Sequence, residues 1–215
     1  EGNVDDNQEK ATVFARSKGA DIGVHVTINE TVQTAVSLWR LSLESELIFV
    51  GDDGTTEASD KSERHGLEAS VFWQPLEWLI LDGDLAWTRA RIKPTGSEEQ
   101  HIPGAIERVV SVGVSVNNAG PWHGGLRLRH FGEFALNEDN SERANAVTMM
   151  NAEVGYDINQ NLGVSLQLLN LTDEEGNDIT YLYESQMLTE ANPVEDVHFH
   201  PIEPRSVRME VSYTF

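Results

Sequence analysis

The chain has 215 residues, with 36 Asp and Glu against 15 Lys and Arg, and its formal net charge is −21. This length suits one domain or one large piece of a domain. The negative charge argues against nucleic-acid binding, because phosphate recognition needs a basic face. The sequence contains no Cys, which excludes disulfides, thiolate metal sites and Cys nucleophiles. No run of 18 apolar residues occurs, so no transmembrane helix is expected.

Period-two alternation of apolar and polar residues runs through most of the chain. In the last segment, one face carries Val207, Met209, Val211, Tyr213 and Phe215. Successive side chains of a strand point to opposite faces, so each such run predicts a strand with one apolar side. The run over 34–50 switches parity, which predicts a bulge or twist there. About nine strands are predicted, near 20–28, 34–50, 64–73, 79–91, 108–117, 122–133, 147–156, 162–170 and 205–215.

The connections between these strands alternate in length. Four are short, near 29–30, 74–78, 118–121 and 157–161. Four are long, over 51–63, 92–107, 134–146 and 171–204. In an up-and-down antiparallel sheet, alternate connections lie at opposite ends, so this rhythm predicts one tight end and one elaborated end. Outer-membrane barrels have short periplasmic turns and long extracellular loops in this arrangement.

A soluble sandwich also alternates, so three further features are needed to assign the faces. The strand lengths match a tilted crossing of an apolar band. Charged residues sit at mid-strand on the polar faces, where they suit a wet lumen: Glu68, Arg127, Arg129, Glu153 and Arg208. Aromatic residues lie near strand ends, where an interfacial girdle needs them: Trp73, Trp78, Trp87, Trp122, Tyr156, Tyr213 and Phe215. The predicted fold is all-β, an antiparallel up-and-down transmembrane β-barrel.

Several motifs carry a family resemblance from about Ala15 to the end of the chain. The terminal strand over 203–215 ends in Phe, as in bacterial outer-membrane proteins. In this order and spacing, the motifs resemble the C-terminal part of TonB-dependent receptors. They are Arg64-His65-Gly66-Leu67-Glu68, Gln74-Pro75, Trp78-Leu79, the strand Leu85-Ala86-Trp87-Thr88-Arg89-Ala90, Ile102-Pro103-Gly104 and Asn170-Leu171-Thr172-Asp173.

The resemblance implies a partial barrel, with about 9–10 strands of a 22-stranded type. Residues 1–215 are then the C-terminal barrel segment, and the plug domain of the family is absent from them. The implied location is the bacterial outer membrane, and the implied function is TonB-dependent transport of a scarce nutrient such as a ferric siderophore, cobalamin or a glycan.

The same resemblance implies the partners. They are outer-membrane lipid, the TonB complex through the plug of the full-length protein, a small-molecule nutrient ligand, and the barrel-assembly machinery. Tyr213 and Phe215 would form the assembly signal that this machinery reads. No cofactor and no nucleic-acid partner are expected.

The candidate ligand-binding residues lie in the predicted outer loops: Asp52, Asp53, His101, His198 and His200. His198 and His200 are spaced to share one face of an extended segment, which suits metal ligation or simple packing within the loop. Asp52-Asp53-Gly54 and the segment 173–178 are rich in oxygen ligands, but neither has EF-hand spacing, and acidic surface loops are common. No metal site is predicted.

Catalytic patterns are missing from the sequence. It contains no Gly-x-Ser-x-Gly elbow, no His-Glu-x-x-His and no phosphate-binding glycine loop. The chain is therefore not expected to be an enzyme.

Two other interpretations remain open at this point. A small self-contained barrel, structural or pore-forming, needs a tenth strand from residues 10–18 or 178–187, because single-chain barrels have even strand numbers. A soluble β-sandwich binding module needs a second sheet against one strand face. A lone nine-stranded sheet has two unpaired edges, which are costly in lipid. Any ordered form is therefore expected to close on itself, pair with another chain or belong to a larger assembly.

Overall fold

A computed structural model describes residues 16–50, 55–94 and 98–215. This part of the chain contains sixteen strands, and none of its segments is a helix long and apolar enough to cross a membrane. The strands are β1 (Ser17–Ile28), β2 (Val32–Leu43), β3 (Glu46–Val50), β4 (Thr55–Ser59), β5 (Ser62–Leu76), β6 (Leu79–Ile92), β7 (Gln100–His101), β8 (Arg108–Ala119), β9 (Trp122–Phe131), β10 (Phe134–Ala135), β11 (Arg143–Ala144), β12 (Val147–Asp157), β13 (Leu162–Leu169), β14 (Asn177–Ser185), β15 (Val194–Pro201) and β16 (Ser206–Tyr213).

Nine long strands form one meandering sheet in the order β1-β2-β5-β6-β8-β9-β12-β13-β16. Every neighbouring pair is antiparallel, and the short β7 adds to the end of β6. The other strands form three two-stranded hairpins, β3–β4, β10–β11 and β14–β15, each within a long connection. The predicted all-β, antiparallel, up-and-down architecture is confirmed.

The predicted strand over 34–50 is in fact two strands. β2 pairs with β1 and β5 in unbroken register up to Leu43, and β3 begins at Glu46 and pairs with β4. The predicted bulge is therefore wrong. The parity changes because Trp39 lies on the inner face, where the missing side chain of Gly66 leaves room for its ring. A Cβ at Gly66 would lie 2.8 Å from that ring.

Strand register separates the sheet into two faces. One transverse row, which we assign to the exterior face, joins Val24, Val36, Ala69, Leu85 and Val110. The adjacent row on the inner face joins His25, Ala35, Ser70, Asp84, Ser111 and Arg129.

The apolar side chains of the exterior face remain exposed, with Ile22 at 73% and Val24 at 63%. The described strands supply no second large sheet to cover them. The β-sandwich alternative is therefore wrong for this fold.

The sheet is open. β1 pairs only with β2 and β16 only with β13 among the described strands, so the sheet does not close on itself. The predicted tenth strand over 178–187 falls in β14, which pairs with β15 outside the sheet. That part of the self-contained-barrel hypothesis is wrong. Of the other candidate, 10–18, residues 10–15 lie outside the described residues.

The short turns collect aromatic side chains at one end of the sheet. Trp122 and Tyr156 are opposite one another in β9 and β12, with ring centroids 4.7 Å apart. Tyr213 and Phe215 contact edge-to-face at 5.1 Å. Trp73 also lies at this end. This is one half of the aromatic girdle that the sequence predicts.

Candidate functional site: the end of the sheet that carries the long connections

The long connections all emerge at the end opposite to the aromatic turns. They are the segments 44–61, 93–107, 132–146 and 170–205. In the sequence these segments hold 22 Asp and Glu against 4 Lys and Arg, so they carry 18 of the chain's 21 net negative charges. The four short connections hold 2 acidic residues, Glu30 and Glu77. The loop-bearing end is therefore strongly electronegative, and the turn end is not.

The segment 98–107 folds back over the inner face of the sheet. Ile102 packs against Ala90 and Ile92, and all three are at most 6% exposed. Gly104 has φ = +75°, a left-handed conformation that glycine adopts without strain, and its N–H donates to the carbonyl of Ala135 at 2.9 Å. The Ile102-Pro103-Gly104 motif thus forms a small buried core and ties two loops together at their bases.

The longest connection is tied at its base by Asn170. This side chain is 4% exposed and has φ = +48°, a conformation that Asn tolerates better than most residues. Its Nδ2 donates to the carbonyls of Glu174 and Glu203, each at 3.1 Å. Its Oδ1 accepts from the N–H of Glu174 at 2.8 Å, and its own N–H donates to Asn151 Oδ1 at 2.9 Å. Asn170 therefore joins the start of the loop to its end.

A cavity of about 490 Å³ lies beside this tie, between the acidic segment 173–177 and the chain around Ile202. Two of its carboxylates are already engaged. Asp173 accepts from the Arg205 backbone at 3.0 Å and from its guanidinium at 3.2 Å, and Glu174 accepts from the N–H of Thr148 at 3.4 Å. Within the described ranges, no three His, Asp or Glu side chains are grouped to hold a metal ion.

The predicted ligand residues His198 and His200 lie on the same face of the β14–β15 hairpin. His198 stacks on Tyr183 with centroids 3.7 Å apart and planes 14° from parallel. His200 Nδ1 lies 2.8 Å from Asp178 Oδ1. Their ligand role stays a prediction, and each imidazole has a partner within the hairpin.

His101 is placed apart from that hairpin, in β7 against the end of β6. It is opposite Arg91 in register, and its N–H donates to the carbonyl of Glu138 at 2.8 Å. Burial, followed by the nearby positive charge of Arg91, lowers the pKa of this imidazole below its usual value. Asp52 and Asp53 lie outside the described residues.

The structure also shows a charged network that the sequence patterns did not single out. Glu63 accepts from Arg40 at 2.9 Å and from Lys93 at 2.6 Å, and Glu99 accepts from Arg89 at 3.0 Å. The hydrogen bond to Glu63 is the main reason why the pKa of Lys93 is raised. The alternation pattern could have indicated this network, because positions 40, 63 and 89 have the parity of the apolar exterior face but carry charged residues.

On the inner face, Arg127 forms a bidentate pair with Asp82, with nitrogen–oxygen distances of 2.7 and 2.8 Å. The guanidinium also donates to Ser111 at 3.0 Å. Glu153 is opposite Gln167, which is opposite Arg208. The polar inner face thus contains an ion pair and a row of polar side chains of the kind expected to fill a lumen.

Comparison with known proteins shows which family has this sheet and these loops. The family model described as TonB dependent receptor-like, beta-barrel matches residues 15–171. The chain belongs to the TonB-dependent receptor family. Members of this family are outer-membrane β-barrels that transport small-molecule ligands with the help of TonB, and they are not enzymes. The resemblance seen in the sequence is confirmed.

Solved structures of such receptors share the fold. The closed form of the ferric-catecholate import receptor Fiu from E. coli K12 is 19% identical, with a TM-score of 0.70 over 98% of this chain and 29% of Fiu. The copper transporter OprC is 16% identical, with a TM-score of 0.72 over 94% of this chain and 32% of OprC. The ferric yersiniabactin uptake receptor FyuA from Yersinia pestis is 14% identical, with a TM-score of 0.72 over 94% of this chain and 30% of FyuA.

The chain thus spans about a third of the length of the receptors that it matches. At these identities the likeness shows the fold alone. No curated protein matches the sequence.

Proposed function

We propose that residues 1–215 form the C-terminal barrel segment of a TonB-dependent outer-membrane receptor that imports a scarce nutrient such as a ferric siderophore. The observation that carries the proposal is the open nine-stranded sheet, which matches part of complete receptor barrels and has unpaired edges at β1 and β16. In a membrane, unpaired edges are costly. The remaining strands of a larger barrel would satisfy them, and the plug that contacts TonB would lie in the rest of the full-length protein.

The orientation follows from the two ends of the sheet. The C-terminal Phe215 and the short turns lie on the same side, which we assign to the periplasm. The long connections then face outward, and they are the segments that would contact the nutrient. His101, His198 and His200 lie in these connections and are the described candidates for ligand contacts.

The charge of the loop-bearing end bears on which nutrient is admitted. A surface that carries most of a net charge of −21 repels polyanions at long range and raises the local concentration of cations. Among iron chelates, neutral or cationic complexes would therefore arrive faster than polyanionic ones. This preference is carried by the charge alone and needs no particular ligand residue.

The deciding experiment is nutrient uptake in the native host. Deletion of the gene is expected to abolish uptake of one class of radiolabelled ferric complex, and inactivation of TonB is expected to abolish it equally. Restoring the complete gene should restore uptake only where TonB is intact. Uptake that continues without TonB would overturn the proposal in favour of a passive pore.

A further inference from the structure

The exterior face changes from apolar to cationic at one level, near the loop-bearing end. Successive exterior residues along β2, β5 and β6 are paired across the strands, so they form transverse rows. Two rows are largely apolar and the next is polar. In order toward the loops, the rows are Val36–Ala69–Leu85, Leu38–Leu67–Trp87 and Arg40–His65–Arg89.

A fourth cation lies beside this polar row on the next strand. Arg108 is opposite Trp87 at the start of β8, one row below Arg89, and its side chain is exposed. We define the exterior rim as Arg40, His65, Arg89 and Arg108. All four are exposed, and they lie on four consecutive strands of the sheet.

The rim arginines keep hydrogen-bond donors available. Arg40 and Arg89 each use one terminal nitrogen for a carboxylate, that of Glu63 and that of Glu99, and their side chains are 67% and 47% exposed. A guanidinium has five N–H donors, so most of them remain free. Arg108 forms no ion pair with any described residue. Exposed ion pairs contribute little stability, so an incoming anion can compete for these arginines at low cost.

The sign of the charge is unusual for this chain. The exterior strand positions at the rim and just beyond it carry Lys18, Arg40, Arg89, Arg91 and Arg108 against Glu63. The loop segments above them hold more than five acidic residues for each basic one. A positive band on an acidic molecule points to an anionic partner that approaches from the side of the sheet rather than from the loops.

The position of Trp87 indicates the height of this positive band relative to the membrane. Its indole is 44% exposed and contacts the His65 ring edge-to-face at 6.1 Å. Trp is enriched where a protein surface meets lipid headgroups, so the row above it is at headgroup height. A shallow cleft of about 340 Å³ lies in the polar region above Trp87. Its lining has an excess of basic side chains over the carboxylates of Glu63 and Glu99: Arg40, His65, Arg89, Arg91 and Lys93.

We propose that the exterior rim binds the phosphate of an anionic lipid headgroup in the outer leaflet. The two rows below the rim are apolar on β2, β5 and β6, so an occupant must be anionic above and apolar below. A lipid satisfies both conditions. This inference rests on the proposed membrane placement of the chain.

The test measures which lipid the purified complete receptor retains. The receptor in zwitterionic detergent is mixed with phosphatidylglycerol and phosphatidylcholine of identical acyl chains, and native mass spectrometry counts the bound lipids. The wild-type receptor is expected to retain phosphatidylglycerol in preference by roughly fivefold or more, and R40Q/R89Q/R108Q is expected to reduce the ratio to about one.

A matched control removes the same charge from the opposite face. R64Q/R129Q/R208Q takes three arginines from inner-face strand positions and is expected to keep the wild-type ratio. An equal loss in both triple variants would overturn the proposal, because net charge alone would explain the binding. If the rim triple variant does not fold, Arg108→Gln breaks no described ion pair and is expected to lower the ratio roughly two- to fivefold.

A second measurement separates this inference from the proposed function. Flotation with pure phosphatidylcholine vesicles reports insertion of the complete receptor into a membrane. A wild-type receptor that does not float would overturn the membrane placement itself. A receptor that floats but shows no preference for phosphatidylglycerol would overturn the rim alone. Displacement of phosphatidylglycerol by inorganic phosphate would also overturn it, because the proposed occupant is held by its acyl chains as well.

Discussion

The two ends of the sheet are built from different chemistry. The turn end has short connections and aromatic pairs, such as Trp122 with Tyr156. The loop-bearing end has an acidic surface whose segments are held by a few buried polar and apolar ties, chiefly Asn170 and Ile102. The turns need little support because hydrogen bonds of the adjacent strands fix them. Long connections have no such constraint, so specific side chains must fix their bases.

The largest expected effect comes from removing the Asn170 tie. Asn170→Ala removes the bonds from this side chain to the carbonyls of Glu174 and Glu203 and to the N–H of Glu174, and it places Ala at a positive φ. The expected loss in free energy of unfolding is about 3 kcal/mol. Urea titration of the chain in detergent micelles measures it.

The matched control for that variant is Asn159→Ala at the turn end. Its side-chain oxygen accepts from the N–H groups of Asn161 and Leu162 in an exposed turn. Because water can replace these bonds, the expected loss is about 1 kcal/mol. Equal losses for the two variants would contradict the claim that the loop base depends more on one side chain.

The second expected effect concerns the small core under the folded-back segment. Ile102→Ala removes buried methyl groups against Ala90 and Ile92 and should cost about 2 kcal/mol, the low end for such a change, because few neighbours surround the site. Hydrogen exchange should speed up at the amides of His101 and Gly104. Unchanged protection there would show that backbone bonds alone hold the segment.

The third effect tests the charge difference between the ends. A nitroxide attached to a Cys at Thr172 reports on the loop-bearing end, and one at Gln160 reports on the turn end. An anionic relaxation agent should reach the Thr172 label less often by roughly twofold at low ionic strength. The difference should shrink as salt is added. Equal accessibility at low salt would contradict the electrostatic asymmetry.

The smallest effect is a pH dependence at His101. The pKa of this group is lowered in the folded chain, so its contribution to stability is present above its unfolded pKa of about 6.5. That contribution is lost as the pH falls through the lower folded value. The protection factor of the His101 amide, which is the exchange rate of the unfolded chain divided by the observed rate at the same pH, should fall below that pH in the wild-type chain. His101→Gln should flatten the profile, and an unchanged profile would assign the effect to another group.

The sequence predicts the sheet well and the loops poorly, for a physical reason. All nine long strands follow from period-two alternation, because a face that meets lipid must be apolar along its whole length. The hairpins β10–β11 and β14–β15 carry no such constraint. The sequence does not predict β10, β11 or β15, and it offers 178–187 only as a tenth strand of the sheet rather than as half of a hairpin. Trp39 departs from the pattern because its placement depends on Gly66 of the neighbouring strand, and a pattern within one strand does not contain that information.

For the candidate site too, the sequence predicts local motifs but not the long-range contacts that they make. The Asn170-Leu171-Thr172-Asp173 motif is visible in the sequence, but its role as a tie depends on Glu203, which is 33 residues away. The ion pairs of Glu63 join residues from two strands, β2 and β5, and from the loop that follows β6. Their only trace in the sequence is a charge on the apolar parity.

The position of the Asn170 tie has a consequence for how this kind of molecule changes over evolution. The side chain bonds both ends of a segment of about thirty residues and holds nothing in between. The length and composition of the loop between these two anchor points can therefore change without disturbing the sheet that supports it. New specificities can arise there by insertion and deletion, while the barrel keeps its strand register.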